Sequence, residues 1–140
     1  MPFGLRKDGK VELLSNVPLF AGLSKGELGH LASIADEIDF RSGKVLIREG
    51  ERGREFFVLL DGEVEVRRKG RKLATRRKGD FLGEIALVSD VPRTATVTAT
   101  TPVRALVIRD REFRALVGNA PAIALKLLQA IAERLPTAQF

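Results

Sequence analysis

Glu84 and Arg93 stand nine positions apart in the stretch Phe81-Leu-Gly-Glu-Ile-Ala-Leu-Val-Ser-Asp-Val-Pro-Arg-Thr-Ala-Thr-Val-Thr-Ala99. An ionised Glu84 only accepts hydrogen bonds, which suits a hydroxyl pair such as a ribose edge. Arg93 offers a planar fork of donors matched to phosphate oxygens. The residues between them have little bulk where it matters. Gly83 and Ala86 let a ligand approach backbone N–H groups closely. A helical turn starting near Glu84 leaves its first N–H groups pointing outward, and the helix dipole favours an anion there. The stretch therefore holds a receptor for phosphate beside a receptor for sugar. A purely structural Glu84–Arg93 ion pair accounts for the two charges but not for the small residues around them.

Phe81-Leu82-Gly83-Glu84-Ile85-Ala86-Leu87 and Pro92-Arg93-Thr94-Ala95 resemble the phosphate-binding cassette of cyclic nucleotide-binding domains. That family runs Phe-Gly-Glu-(hydrophobic)-Ala-Leu, a short loop, then Pro-Arg-(Thr/Ser/Ala)-Ala. The resemblance implies that Glu84 holds the ribose 2′-hydroxyl and Arg93 the cyclic phosphate. Backbone N–H groups near Glu84, Ile85, Ala86, Thr94 and Ala95 are expected to complete the phosphate shell, and Gly83 also belongs to the expected ligand site. Base contacts are expected from Phe81, Leu82, Thr94, Ile131 and Arg134. The ligand is cAMP or cGMP, with no further cofactor and no metal. Thr94 suits the 2-amino group of a syn guanine, but the family also places Thr or Ser there in cAMP binders. The resemblance extends from about Val17 to Leu135.

The elements that must position this stretch follow from periodicity. Residues 1–10 read as a flexible lead and 11–140 as one domain. A short helix is expected over 11–17. Ser24 followed by Glu27 is a capping-box pattern. The helix it opens carries Leu28, Leu31, Ile34, Ala35 and Ile38 at three- and four-residue steps, so it is expected to reach Ile38. From Asp39 to Arg109 short apolar runs alternate with glycines, which predicts about eight strands in a jelly roll. Asp61-Gly62 reads as a two-residue hairpin turn and Gly70 as a second hairpin tip. Asp110 then caps a helix that stops near Gly118-Asn119, and Pro121 starts a last helix. The fold class is thus mainly β with flanking helices: an eight-stranded jelly-roll barrel, an N-terminal helical segment and two C-terminal helices.

Composition narrows the function classes. The chain has 140 residues, 44% hydrophobic and 30% charged, which fits one soluble globular domain. It holds no cysteine, no signal peptide and no run of 18 apolar residues, so a cytoplasmic setting without a membrane span is expected. The lone histidine, His30, sits on a helix and reads as a surface residue. A His- or Cys-based metal site of the kind found in jelly-roll enzymes therefore lacks ligands. No nucleophile comes with a base partner, so no enzyme is expected. Five residues follow Leu135. They are too few for a recognition helix, so sequence-specific DNA binding is not expected either.

Of 24 basic residues, eight fall in 67–78; the other 16 face 18 acidic ones. The net charge of +6 therefore belongs to one local run. That run suits an acidic protein, nucleic acid or an anionic surface as an alternative function, though no aromatic residue is interleaved for base stacking. The leading expectation is a monomeric sensor. It binds a cyclic nucleotide, closes its last helix as a lid and signals to an effector protein or a larger receptor.

Overall fold

The computed structural model describes residues 7–83 and 90–134, the side chains of residues 7, 8, 131 and 134 excepted. Two compact units divide the chain: residues 1–33 with 114–140, and residues 34–113.

The second unit carries the strands. They are β1 (Ala35–Phe40), β2 (Val45–Ile47), β3 (Glu55–Asp61), β4 (Glu63–Arg68), β5 (Arg71–Arg77), β6 (Phe81–Leu82), β7 (Thr96–Ala99) and β8 (Val103–Arg109). One antiparallel sheet has the order β1-β8-β3-β6 and the other β2-β7-β4-β5. The inner faces meet in a core that includes Phe57 and Leu59 of β3, Val64 of β4, Val97 of β7, and Ala105 and Val107 of β8. Alternation along each strand explains this, since every second side chain points to the same face. In β7 the burial alternates strictly, with Val97 and Ala99 buried between half-buried threonines. The middle of β3 and β8 is buried on both faces, and there the apolar run is continuous.

Two expectations are corrected here. The helix opened by Ser24 is α2 (Lys25–Ile34), and it stops before Ile38. Residues 35–40 instead pair with β8 in an unbroken register from Ala35↔Ile108 to Phe40↔Val103. Ile38 fits a helical stripe and a strand equally well, and the ladder with β8 decides between them. Asp36 and Asp39 reinforce the ladder through ion pairs with Arg109 at 2.5 Å and Arg104 at 3.0 Å.

Asp61-Gly62 is not a hairpin turn. The strand before it belongs to one sheet and the strand after it to the other. The chain changes sheets at Gly62, which has φ +92°. A Cβ there would sit 2.2 Å from the Pro102 carbonyl oxygen and 2.8 Å from Val103 Cα. A glycine is needed both for the left-handed backbone and for the close crossing of the 102–103 segment. The expected tip at Gly70 does form: Lys69 and Gly70 both have positive φ, 51° and 78°, and join β4 to β5 as a twist-matched hairpin.

The first unit is helical. Its first helix, α1 (Lys7–Ser15), starts four residues before the expected Val11. A 3-10 turn, Pro18–Phe20, buries Leu19 and Phe20. At the start of α2 the capping box is complete. The Ser24 N–H donates to Glu27 Oε1 at 2.8 Å, and the Glu27 N–H donates to Ser24 Oγ at 3.1 Å. The last helix, α4 (Pro121–Arg134), packs on the Pro18–Phe20 turn and is held to α2 by Lys126 Nζ, which donates to Glu27 Oε1 at 2.7 Å. The remaining helix, α3 (Asp110–Asn119), opens in the strand unit. There Asp110 is buried, only 6% exposed. Its Oδ1 accepts the Arg111 N–H at 2.7 Å, and Arg54 lies 3.5 Å from its Oδ2.

Candidate functional site

Arg93 is placed by its backbone first. The segment around Pro92 runs against residues 50–52 through a bridge between Arg52 and Pro92. The Arg93 N–H donates to the Glu51 carbonyl at 2.8 Å, and its own carbonyl accepts the Gly50 N–H at 2.9 Å. Arg52 adds an ion pair to Asp90 at 2.8 Å. Further along, Arg68 Nε donates to the Thr94 carbonyl at 2.9 Å, and Thr96 Oγ1 accepts the Glu49 N–H at 3.0 Å. A loop that sequence alone leaves open is thus stapled at both ends to the strand unit.

The guanidinium then folds inward. Its side chain is only 9% exposed. Nη2 donates to the Glu55 carbonyl at 2.6 Å, and Nη1 donates to the Gly83 carbonyl at 3.4 Å. The Glu55 carboxylate lies 3.9 Å from Nη2. Two glycines flank the group. Gly83, at the end of β6, has φ +79°, and a Cβ there would stand 2.6 Å from Arg93 Nη1. Gly53 is closer still: its Cβ would lie 1.6 Å from Nε. A permanently charged group is therefore held in a narrow slot, with two carbonyl oxygens among its partners. In water-poor surroundings such a cation interacts strongly with an anion that reaches it.

The other expected residues fall as follows. Phe81 packs on Phe56 with ring centroids 5.9 Å apart, and Leu82 joins the buried core. Thr94 is exposed and Ala95 half-buried, on the loop leading into β7. Glu84, Ile85 and Ala86 lie outside the described residues. Ile131 and Arg134 lie on α4, at the end of the described chain. His30 is exposed on α2, as expected of a surface residue. The basic run forms the end of β4, the turn and the exposed strand β5. Part of its charge is compensated within the hairpin, by Arg67 and Lys72 on Glu65 and by Arg77 on Glu63.

Sequence reasoning missed Gly53 and the Glu55 carbonyl as partners of Arg93. Gly53 stood among the glycines that punctuate the strands, and a backbone carbonyl leaves no mark on a side-chain pattern.

Residues 37–120 match the family profile of the cyclic nucleotide-binding domain. The chain belongs to that family. It is 35% identical over 109 residues to a cAMP-dependent protein kinase regulatory subunit of Schizosaccharomyces pombe, covering 77% of this chain and 26% of that protein. Among solved structures it is similar to the N-terminal domain of a transcriptional regulator from Streptomyces coelicolor A3(2). There the TM-score is 0.76 at 32% identity, with 87% of this chain and 91% of that one covered. A third likeness is to a regulatory subunit of a cAMP-independent protein kinase A from Trypanosoma cruzi, bound to guanosine. It has a TM-score of 0.76 at 30% identity, over 86% of this chain and 44% of that one. The chain spans about a quarter of the length of the curated relatives it matches. The chain is thus a cyclic nucleotide-binding regulatory domain by family, and the eight strands in two antiparallel sheets are its β-roll.

Proposed function

We propose that this domain is a sensor that binds a cyclic nucleotide, cAMP in preference to cGMP, and catalyses nothing. The observation that carries the reading is Arg93, a buried guanidinium clamped by the Glu55 and Gly83 carbonyls beside the glycine that opens the cassette. An anion-binding role explains why a fixed cation sits on a loop rather than in solvent, where an arginine costs less to hold. In this reading Arg93 pairs with the cyclic phosphate. Glu84 accepts from the ribose 2′-hydroxyl, and the N–H groups of Ile85, Ala86, Thr94 and Ala95 close around the phosphate. Phe81, Leu82, Thr94, Ile131 and Arg134 serve the base. Arg134 stacks its guanidinium on the purine, a favourable pairing of a cation with a π face.

Signalling follows from differential contact. The ligand favours the arrangement in which the last helix covers the base, and it shifts the population by its affinity difference between open and covered forms. The receiver is an effector protein or the rest of a larger receptor. The kinase regulatory subunit it resembles supports that role, since this chain corresponds to only part of it.

Titration calorimetry with cAMP and with cGMP tests the proposal. Saturable binding at one site per chain is expected, tighter for cAMP. Absence of heat with both nucleotides removes the reading, and tighter cGMP binding reverses the base preference.

A further inference from the structure

Six glycines in the described chain sit at positive φ: Gly43, Gly50, Gly62, Gly70, Gly79 and Gly83. Their backbone alone accounts for the residue type. Gly53 is different. Its φ lies outside the left-handed region, so an alanine is free to adopt its backbone. The atoms nearest to a side chain there belong to one group. A Cβ at residue 53 would lie 1.6 Å from Arg93 Nε, 2.1 Å from Cζ and 2.4 Å from Nη2. These three nearest atoms all belong to the guanidinium.

From this we infer that Gly53 is a positioning residue for Arg93, resting on the reading of Arg93 as the phosphate receptor. The guanidinium occupies the space that a Cβ at residue 53 would fill. This lets Nη2 reach the Glu55 carbonyl at 2.6 Å while Nη1 faces the Gly83 carbonyl. A methyl group at residue 53 pushes the fork out of that slot. The charge remains, but its orientation is lost, and a bidentate contact depends on orientation. The same three-residue segment therefore supplies the floor of the slot at Gly53 and the anchoring acceptor at Glu55. Ligand affinity is set partly by a residue that touches no ligand.

The test compares Gly53→Ala with Arg93→Ala, using cAMP as the probe, and adds NMR of the arginine Nε–H signals in the ligand-free protein. Gly53→Ala is expected to keep its melting temperature within a few degrees and to lose at least about tenfold in cAMP affinity, the loss expected when a charged contact worth more than about 1.4 kcal/mol is misaligned. The Arg93 Nε–H is expected to exchange slowly in the wild type, as befits a shielded group, and to exchange with the exposed arginines in Gly53→Ala. An unmoved, still protected Arg93 signal overturns the inference, as does unchanged affinity in Gly53→Ala while Arg93→Ala is impaired. If Arg93→Ala itself binds normally, the phosphate reading fails and this inference goes with it.

Discussion

At the scale of single residues, the proposed site divides its labour by hydrogen-bonding capacity. An arginine can only donate and an ionised carboxylate can only accept, so phosphate and ribose hydroxyl call for different partners. Glu84→Ala is expected to weaken cAMP binding less than loss of Arg93 does, because the 2′-hydroxyl is neutral and its contact weaker. The same substitution should abolish discrimination between cAMP and its 2′-deoxy analogue. Competition titrations of the two ligands against that variant check this, and retained discrimination would refute the ribose assignment. The position of Arg93 after Pro92 was legible in the sequence. Its environment was not. Gly53 lies forty positions upstream, and its contact with Arg93 arises only once residues 50–52 pair with the 92–93 segment.

At the scale of elements, local signals succeeded where the partner was near in sequence. The Ser24–Glu27 capping box, the Gly70 tip and the start of α4 at Pro121 are each decided within a few residues. They failed where a distant strand decides. The Asp-Gly pair at 61–62 is as good a signal for a sheet change as for a hairpin, and only the crossing 102–103 segment tells them apart. Gly62→Ala therefore carries two penalties, left-handed strain and a collision with backbone that cannot rotate away. Urea denaturation should show a loss of about 2–4 kcal/mol, whereas a mere hairpin glycine would cost about 1 kcal/mol.

The contact between α2 and α4 has a pH signature. The hydrogen bond from Lys126 holds the Glu27 carboxyl below its ordinary value of 4.5, and the Ser24 N–H adds to the effect. A carboxyl depressed on folding contributes stability above its unfolded value and loses it as the pH falls through the lower folded value. Melting curves of the wild type and Glu27→Gln should therefore differ at neutral pH and converge on acidification below the ordinary carboxylate range. A gap that persists at the acid end contradicts the ionic origin of the contact.

At the scale of the whole molecule, the strand unit and the helical unit have different tasks. The strand unit holds a buried core between two sheets and carries Arg93 on a loop stapled to residues 50–52. The helical unit offers an amphipathic last helix, tied to α2 by Lys126. The β-roll was legible because glycines and period-two apolar runs mark each strand, and the jelly-roll class followed from their number. Strand order was not legible, since it depends on pairings between residues far apart in sequence, such as Ala35 of β1 with Ile108 of β8. The patch of positive charge at 67–78 proved to be one hairpin. It shares ion pairs with Glu63 and Glu65, and among the described residues Arg68 links it to Thr94.

The central claim is that a fixed guanidinium receives the phosphate of a cyclic nucleotide. Calorimetric titration of cAMP into the wild type and into Arg93→Ala tests it most directly. A loss of about 2–4 kcal/mol in binding free energy is predicted, the scale found when one partner of a buried, hydrogen-bonded charge pair is truncated. Equal affinity in the two proteins would contradict it.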